Sequence, residues 1–378
     1  MKRLGIFSLE FPHDSRVFIN EQAESLQEYQ PIFLMRSQLK EIEFQGIAIH
    51  SKNEPGLKQR LFTLTRAPSF FGTSEYLSSL QLIHAHFGLD SMYAIPLAKR
   101  LKIPLITTFH GADITVSDSN LLFSKSIIDK YYLWGRRSMN RYTSVFIAVS
   151  RFLETEAIKK GFSKEKMIQH YIGVDTEKFI PVSSKNSGRY ILCVGRHVEK
   201  KGIETLLNAF LRVAQKHPDV SLIQVGSGPL TSTLHALAQT LGIADRVRFL
   251  GALPHEKVLH LMQHAEIFAL PSQTAINGDS EALGIVFNEA SACGIPIVST
   301  WHGGIPEAVL HEETGLLSPE YDPAVLAANL DTLLSDRALG ESMGRQGRDY
   351  VCTNFNIRTQ TTKLESIYNE VIERWNQE

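Results

Sequence analysis

The chain has 378 residues, 43% of them apolar and 21% charged, the balance of a well-buried protein long enough for two cores. A formal net charge of −1 gives no electrostatic case for nucleic acid. Three widely spaced cysteines (Cys193, Cys293, Cys352) argue against a disulfide framework or a cysteine metal site.

The near-neutral total hides an asymmetry. Residues 1–180 carry 23 Lys/Arg against 18 Asp/Glu, or +5; the remainder carries 16 against 22, or −6. A basic first half suits an anionic surface partner, and ordinary scatter of surface charge explains it equally well. No run approaches the roughly 18 apolar residues of a membrane span. Met1-Lys2-Arg3 leads directly into a strand and lacks the apolar stretch of a signal peptide, so the expected location is the cytoplasm.

Short apolar runs alternate with amphipathic segments along the whole chain, which predicts an α/β fold with parallel sheets. In the first half the predicted strands are Leu4–Ser8, Ile32–Met35, Gly46–His50, Leu82–Ala85, Leu105–Thr108 and Val145–Val149. Helical periodicity covers Ser15–Gln27, Ser91–Leu101 and Arg151–Lys160. A polar, turn-forming stretch at 181–188 reads as a linker, giving a first domain over 1–180 and a second over 189–356. The second series has strands at Tyr190–Val194, Ser221–Val225, Val247–Phe249, Ile267–Leu270 and Pro296–Val298. Its helices are predicted at Ile203–Ala214, Leu230–Leu241, Glu256–His264, Phe287–Cys293 and Pro323–Leu334. The amphipathic stretch Ile357–Trp375 has no following strand, and 357–378 is expected to form a helix returning to the first domain. Two Rossmann-like domains of this kind are expected to place their ligands in a cleft beyond the carboxyl ends of the strands.

The densest chemistry lies in the second half. Gly195-Arg196-His197-Val198-Glu199-Lys200-Lys201-Gly202 directly follows the first strand there. Gly195 allows a tight turn, and Arg196 and Lys201 bring two cations to a helix start, where free N–H groups already favour anions. That pairing suits a diphosphate whose leaving charge must be neutralised; a solvated basic turn is the competing explanation. Further on, Glu281 and Glu289 are separated by Ala282 through Asn288. Glu289 is expected in the first turn of a helix, accepting two sugar hydroxyls, and Glu281 is expected to reach the transferred sugar. A solvated glutamate at a helix start is the competing explanation, and the phosphate-binding features upstream weigh against it. Leu283, Gly284 and Ile285 lie between them, their N–H groups meeting phosphate. Gly226-Ser-Gly228 looks like part of a dinucleotide fingerprint, but Thr231 replaces the third glycine and the motif ends the second strand, so a nicotinamide cofactor is not expected.

These stretches together resemble the C-terminal half of retaining glycosyltransferase family 4, which has the GT-B fold of two Rossmann-like domains. The resemblance runs in order through Val194–Arg196, Lys201-Gly202, Val225–Pro229, Val247–Gly251 with Leu250, Leu270–Ser272, Glu281 to Glu289 and Gly303–Glu307. It implies Arg196 and Lys201 on the donor diphosphate, Glu289 on the ribose and Glu281 on the donor hexose, with retention of anomeric configuration. In the first half, His84-Ala-His86-Phe-Gly88 and Thr107-Thr-Phe-His110-Gly-Ala-Asp113 follow apolar strands. His110 resembles the family histidine on the donor sugar, and Asp113 shares its His-Gly-x-Asp pattern. His84 and His86 are expected on opposite faces of their strand, His84 in the core and His86 either packed or at the acceptor.

One segment departs from the family pattern. Where many members carry a Gly-Gly loop after the first strand, this chain has Leu9-Glu-Phe-Pro-His-Asp-Ser-Arg-Val-Phe18. Phe11 to Glu21 resembles a branch of bacterial exopolysaccharide and lipopolysaccharide transferases, and Arg16 stands as the substitute contact on the acceptor side. No Asp-x-Asp occurs, which argues against a divalent cation held between carboxylates and diphosphate. The resemblance therefore implies a nucleotide-sugar donor, a saccharide or lipid-linked saccharide acceptor and no cofactor. A nucleotide-sugar epimerase and a silent sugar-nucleotide binder in a polysaccharide assembly complex are the alternatives.

Finally, Lys125–Arg141 interleaves cations with Tyr131, Tyr132 and Trp134. As a helix it would suit an anionic bilayer, giving peripheral contact at the cytoplasmic face; a helix with core aromatics is the commoner outcome.

Overall fold

A computed structural model describes residues 1–11, 17–39, 46–183 except 51–55, and 188–377. The chain divides into two compact units: Met1–Gly173 with Ile357–Glu378, and Val174–Asn356.

The first unit is a seven-stranded, all-parallel sheet. Its strands are β1 (Lys2–Phe11), β2 (Tyr29–Gln38), β3 (Gly46–His50), β4 (Leu80–His86), β5 (Leu105–Phe109), β6 (Val145–Ala148) and β7 (Met167–Gln169). They lie in the order β3-β2-β1-β4-β5-β6-β7. Central β1 is buried over most of its length and reads as a near-continuous apolar run because helices cover both of its faces. The C-terminal helix Ile357–Gln377 is part of this unit: Leu364, Tyr368 and Val371 share a core with Leu4, Ile6 and Phe33. Its buried Glu365 carboxylate accepts N–H bonds from Gln27 (2.8 Å) and Glu28 (2.7 Å), which fixes the helix against the start of β2.

The second unit has six parallel strands: β8 (Tyr190–Val194), β9 (Ser221–Val225), β10 (Val247–Phe249), β11 (Ile267–Ala269), β12 (Ile297–Thr300) and β13 (Gly315–Ser318). Their order is β10-β9-β8-β11-β12-β13. Both sheets thus step outward from their first strand on one side and then return to its other side, the doubly wound pattern. Helix Ile203–Lys216 covers this sheet through Ile203, Leu206, Leu207, Phe210 and Val213, one face at helical spacing. Asp322 starts the helix Pro323–Ser335 by accepting the N–H groups of Ala324 (2.9 Å) and Val325 (3.0 Å).

The units divide at Gly173/Val174, ahead of the polar stretch expected to be the linker, of which 184–187 lie outside the described residues. The reason is local bonding. Val174 N–H donates to Phe355 O (2.7 Å), Phe179 is fully buried, and Arg348 donates to Phe179 O (3.0 Å), so 174–180 belong to the second unit. Helix Arg337–Asn354 has no counterpart in the sequence expectation; Gly340, Gly344 and Gly347 lower its helical propensity. At Gly344 a side chain would stand 2.1 Å from Gly294 O, so its absence lets this helix close onto the end of the helix Ile285–Ala292.

Candidate functional site

In the second unit, every singled-out motif falls at the carboxyl ends of the strands. β8 leads into Gly195-Arg196, and its neighbour β11 leads into Leu270-Pro271-Ser272, so Arg196 and Lys201 stand where the strand order reverses. The turns after β8, β9 and β10 are held together. Gly195 N–H donates to Val225 O (2.9 Å), Gly226 N–H to Gly251 O (2.8 Å) and Leu250 N–H to Gln224 O (2.9 Å). Gly226 has φ +136°, and a side chain there would stand 2.1 Å from Gly195 O. Only glycine allows that approach.

A buried polar staple behind these turns was not visible in the sequence. His197 meets Thr231 Oγ1 through Nδ1 (2.8 Å) and Gln224 Oε1 through Nε2 (2.5 Å), while Gln224 Nε2 donates to Gly195 O (3.0 Å). Gly228 completes it, its N–H donating to Thr231 Oγ1 (3.0 Å). The staple fixes the backbone that carries Arg196. The Arg196 side chain itself is exposed and forms no ion pair among the described residues, so its guanidinium is available.

Lys201 bonds the Glu281 carboxylate directly, and both side chains are nearly buried. Burial alone would raise the Glu281 carboxyl; Lys201 and Lys200 outweigh it and bring it down to about 2. Lys200 is itself paired with Asp279 (2.9 Å). Glu281 N–H donates to His302 Nε2 (3.0 Å), so the ring proton of neutral His302 sits on Nδ1, facing Glu320 Oε1 at 3.0 Å. His302 and Glu320 therefore orient Glu281, a role that neither residue type nor spacing announced. The turn Gly303-Gly304 closes beneath, Gly304 N–H donating to Glu281 O (3.0 Å).

Gly284 precedes the helix Ile285–Ala292, and Leu283 is buried beside it. That helix begins two residues earlier than expected, which moves Glu289 from its first turn to its second. Glu289 is nearly buried and meets His255 Nε2 at 3.1 Å. His255 opens the helix His255–His264 and rests against Phe179 at 5.3 Å between ring centroids.

The first unit places different groups at the same end of its sheet. His110 follows β5, stacks on His86 (5.2 Å between centroids) and meets His86 Nδ1 through Nε2 at 3.0 Å. Phe18 (4.9 Å) and Phe87 (4.6 Å) flank its ring. His86 is buried, which makes it a support for His110. His84 and His86 share a face and stack at 4.3 Å, correcting the expectation of opposite faces, since side chains two apart on a strand point the same way. His84 is a core residue, bonded to Tyr368 Oη (2.7 Å) and Thr108 Oγ1 (2.7 Å), with burial holding its pKa well below the ordinary histidine value. Asp113 is occupied by backbone: its carboxylate accepts from Gly88 N–H (3.0 Å), Gly111 N–H (2.9 Å) and His110 N–H (3.2 Å). Burial raises its pKa against those bonds. Arg16 lies outside the described residues.

Residues 175–350 match the family Glycosyl transferases group 1, and residues 12–178 match Glycosyltransferase Family 4. WcaL of Escherichia coli, a glycosyltransferase attributed to colanic acid biosynthesis, is 30% identical over 75% of this chain and 69% of its own. The GDP-mannose-dependent alpha-(1-6)-phosphatidylinositol monomannoside mannosyltransferase of Mycolicibacterium smegmatis is 32% identical over 61% of this chain. That match spans 63% of the mannosyltransferase, under two thirds of its length. Among solved structures, Anabaena HepE in complex with UDP and glucose has a TM-score of 0.79 at 21% identity, covering 98% of this chain and 99% of that one. The likeness shows the fold, GT-B.

Proposed function

This chain belongs to the group 1 glycosyltransferases of family 4, and from that premise we propose that it transfers a hexosyl group from a UDP- or GDP-linked sugar. The acceptor is a saccharide or lipid-linked saccharide in cell-surface polysaccharide biosynthesis, and the anomeric configuration is retained. The observation that carries the reading is the placement of Arg196 and the Lys201–Glu281 pair at the strand-order reversal of the second unit.

In this reading Arg196 and Lys201 neutralise the departing diphosphate. The bond from the sugar's anomeric carbon to the phosphate oxygen breaks with its electron pair leaving on the nucleotide. The acceptor hydroxyl attacks from the same face, and its proton passes to the leaving phosphate oxygen. Glu281 orients the hexose and Glu289 the ribose; His110, supported by His86 and by the Asp113-held turn, contacts the sugar. No protein nucleophile and no metal take part, the cations serving the role a divalent ion serves elsewhere. When donor binds, Lys201 turns from Glu281 toward phosphate and frees the carboxylate for sugar hydroxyls.

The test is transfer from UDP- and GDP-hexoses to a panel of saccharide and lipid-linked acceptors, with chelator present and the product anomer read by NMR. A product of inverted configuration, or activity lost to chelator and restored by Mg²⁺, would contradict the proposal. Conversion of donor without any acceptor would favour an epimerase.

A further inference from the structure

The first unit turns two apolar stripes toward solvent. Helix Leu57–Thr65 buries Phe62 against Phe70, Phe71 and Tyr93, yet its Leu57, Leu61 and Leu64 are 66%, 42% and 79% exposed. Those three recur at helical spacing, so they form one outward ridge. Helix Ile127–Tyr142 buries Tyr132, Arg136 and Met139, and leaves Ile127 78% and Trp134 67% exposed on its other side. Phe123, just before it, is 83% exposed. The two helices are neighbours: Arg66, which caps the first, lies over the Tyr131 ring of the second at 4.6 Å.

The charge on these segments is predominantly positive. Residues 57–66 contain Lys58, Arg60 and Arg66 and no acid. Across 119–141 the single acid is Asp129, which accepts a hydrogen bond from Ser124 Oγ at 2.6 Å. Lys125, Arg137 and Arg141 are exposed beside Trp134 and Ile127. Large apolar side chains exposed among cations are poorly placed in water and well placed at the boundary between acyl chains and anionic headgroups.

We infer that this face docks the chain onto an anionic lipid bilayer, with Leu57, Leu61, Leu64, Phe123 and Trp134 entering the acyl boundary and the surrounding Lys and Arg meeting headgroups. The stretch Lys125–Arg141 thus divides its aromatics, Tyr132 buried and Trp134 exposed. The inference is independent of the donor site, and its test needs no nucleotide.

The experiment is flotation of the full chain with vesicles of phosphatidylcholine alone and of phosphatidylcholine mixed with phosphatidylglycerol. The wild type should partition at least about tenfold more strongly onto the anionic vesicles and be weakened by high salt. Leu57→Ser/Leu61→Ser/Leu64→Ser and Phe123→Ser/Trp134→Ser should each lose about tenfold while keeping the wild-type melting temperature. Failure of the wild type to float, equal binding to both vesicle types, or unchanged binding by both folded variants overturns the inference. So does light scattering that shows a dimer abolished by these variants, because the face would then belong to a second copy.

Discussion

In the first unit the carboxyl ends of β4 and β5 carry imidazole and phenyl rings; in the second, the ends of β8 and β11 are ringed by guanidinium, ammonium and carboxylate groups. Both sheets wind in the same order. The backbone rule that puts a site at the strand-order reversal thus operates twice, while side-chain type sets what each site can bind. Stacked imidazoles and flanking phenyl rings suit an uncharged, partly apolar sugar face. A Lys–Glu pair with an available arginine suits a diphosphate joined to hydroxyls.

The sharpest way to break this comparison is Lys201→Met. It strands the nearly buried Glu281 carboxylate, which should destabilise the chain by about 3–5 kcal/mol at neutral pH in denaturant titrations. Glu281 is held down to about 2 in the wild type, so the pair's stabilisation is complete above the ordinary carboxylate range and is lost only as pH falls toward 2. Without Lys201 the largest opponent of burial is gone, and only Lys200 and His302 still lower the carboxyl. It therefore moves up from its wild-type position, and the deficit of the variant should shrink as pH falls through the carboxylate range. A variant as stable as wild type at pH 7 would contradict the reading of the pair.

Arg196→Ala isolates chemistry from stability. The side chain is exposed and supports nothing else, so melting should be unchanged while kcat falls by about 10²–10³, the range for losing one donor to developing charge. Retained turnover in an Arg196→Ala/Lys201→Ala double variant would sink the diphosphate assignment.

Acid should separate the units. Burial lowers His84 well below its ordinary value and His170 to about 4. An unfolded chain binds those protons first, so stability of the first unit is lost as pH falls from about 6.5 toward 4. The raised carboxyl of Asp113 opposes this in part. Hydrogen exchange at pH 5 should show protection lost in β4 and β5 before β8 and β11; the reverse order would contradict the neutral-imidazole picture.

The smallest expected effect is at His255. If it positions Glu289, His255→Ala should raise the donor KM about fivefold with kcat little changed, an effect of about 1 kcal/mol, and His255→Asn should recover part of it. A fall in kcat at constant KM would assign His255 to a different step.

Much of this was legible in the sequence because the central strands are buried on both faces and so appear as unbroken apolar runs. Arg196 stands out because charge directly after an apolar strand is anomalous, and Lys201, Glu281 and Glu289 stand out through the ordered motifs of the family resemblance. The short edge strands β7 and β13 had no counterpart in the sequence expectation. The glycine-rich helix Arg337–Asn354 was hidden because its glycines serve packing rather than turning. His197, His255 and His302 were invisible as supports, because what they do depends on partners 27 to 34 residues away for the first two and 21 for the third. The outward leucines of Leu57–Thr65 were equally hidden, since periodicity reveals an apolar face without saying which way it points.

The central claim is most directly tested by thermal unfolding of the purified chain, wild type and Arg196→Ala, against UDP, GDP, ADP, CMP and their sugar conjugates with chelator present. The account predicts that one diphosphate series stabilises the wild type, by about 2.7 kcal/mol at one hundred times its dissociation constant, and that Arg196→Ala loses most of that shift. No shift with any nucleotide, or an equal shift in the variant, would contradict it.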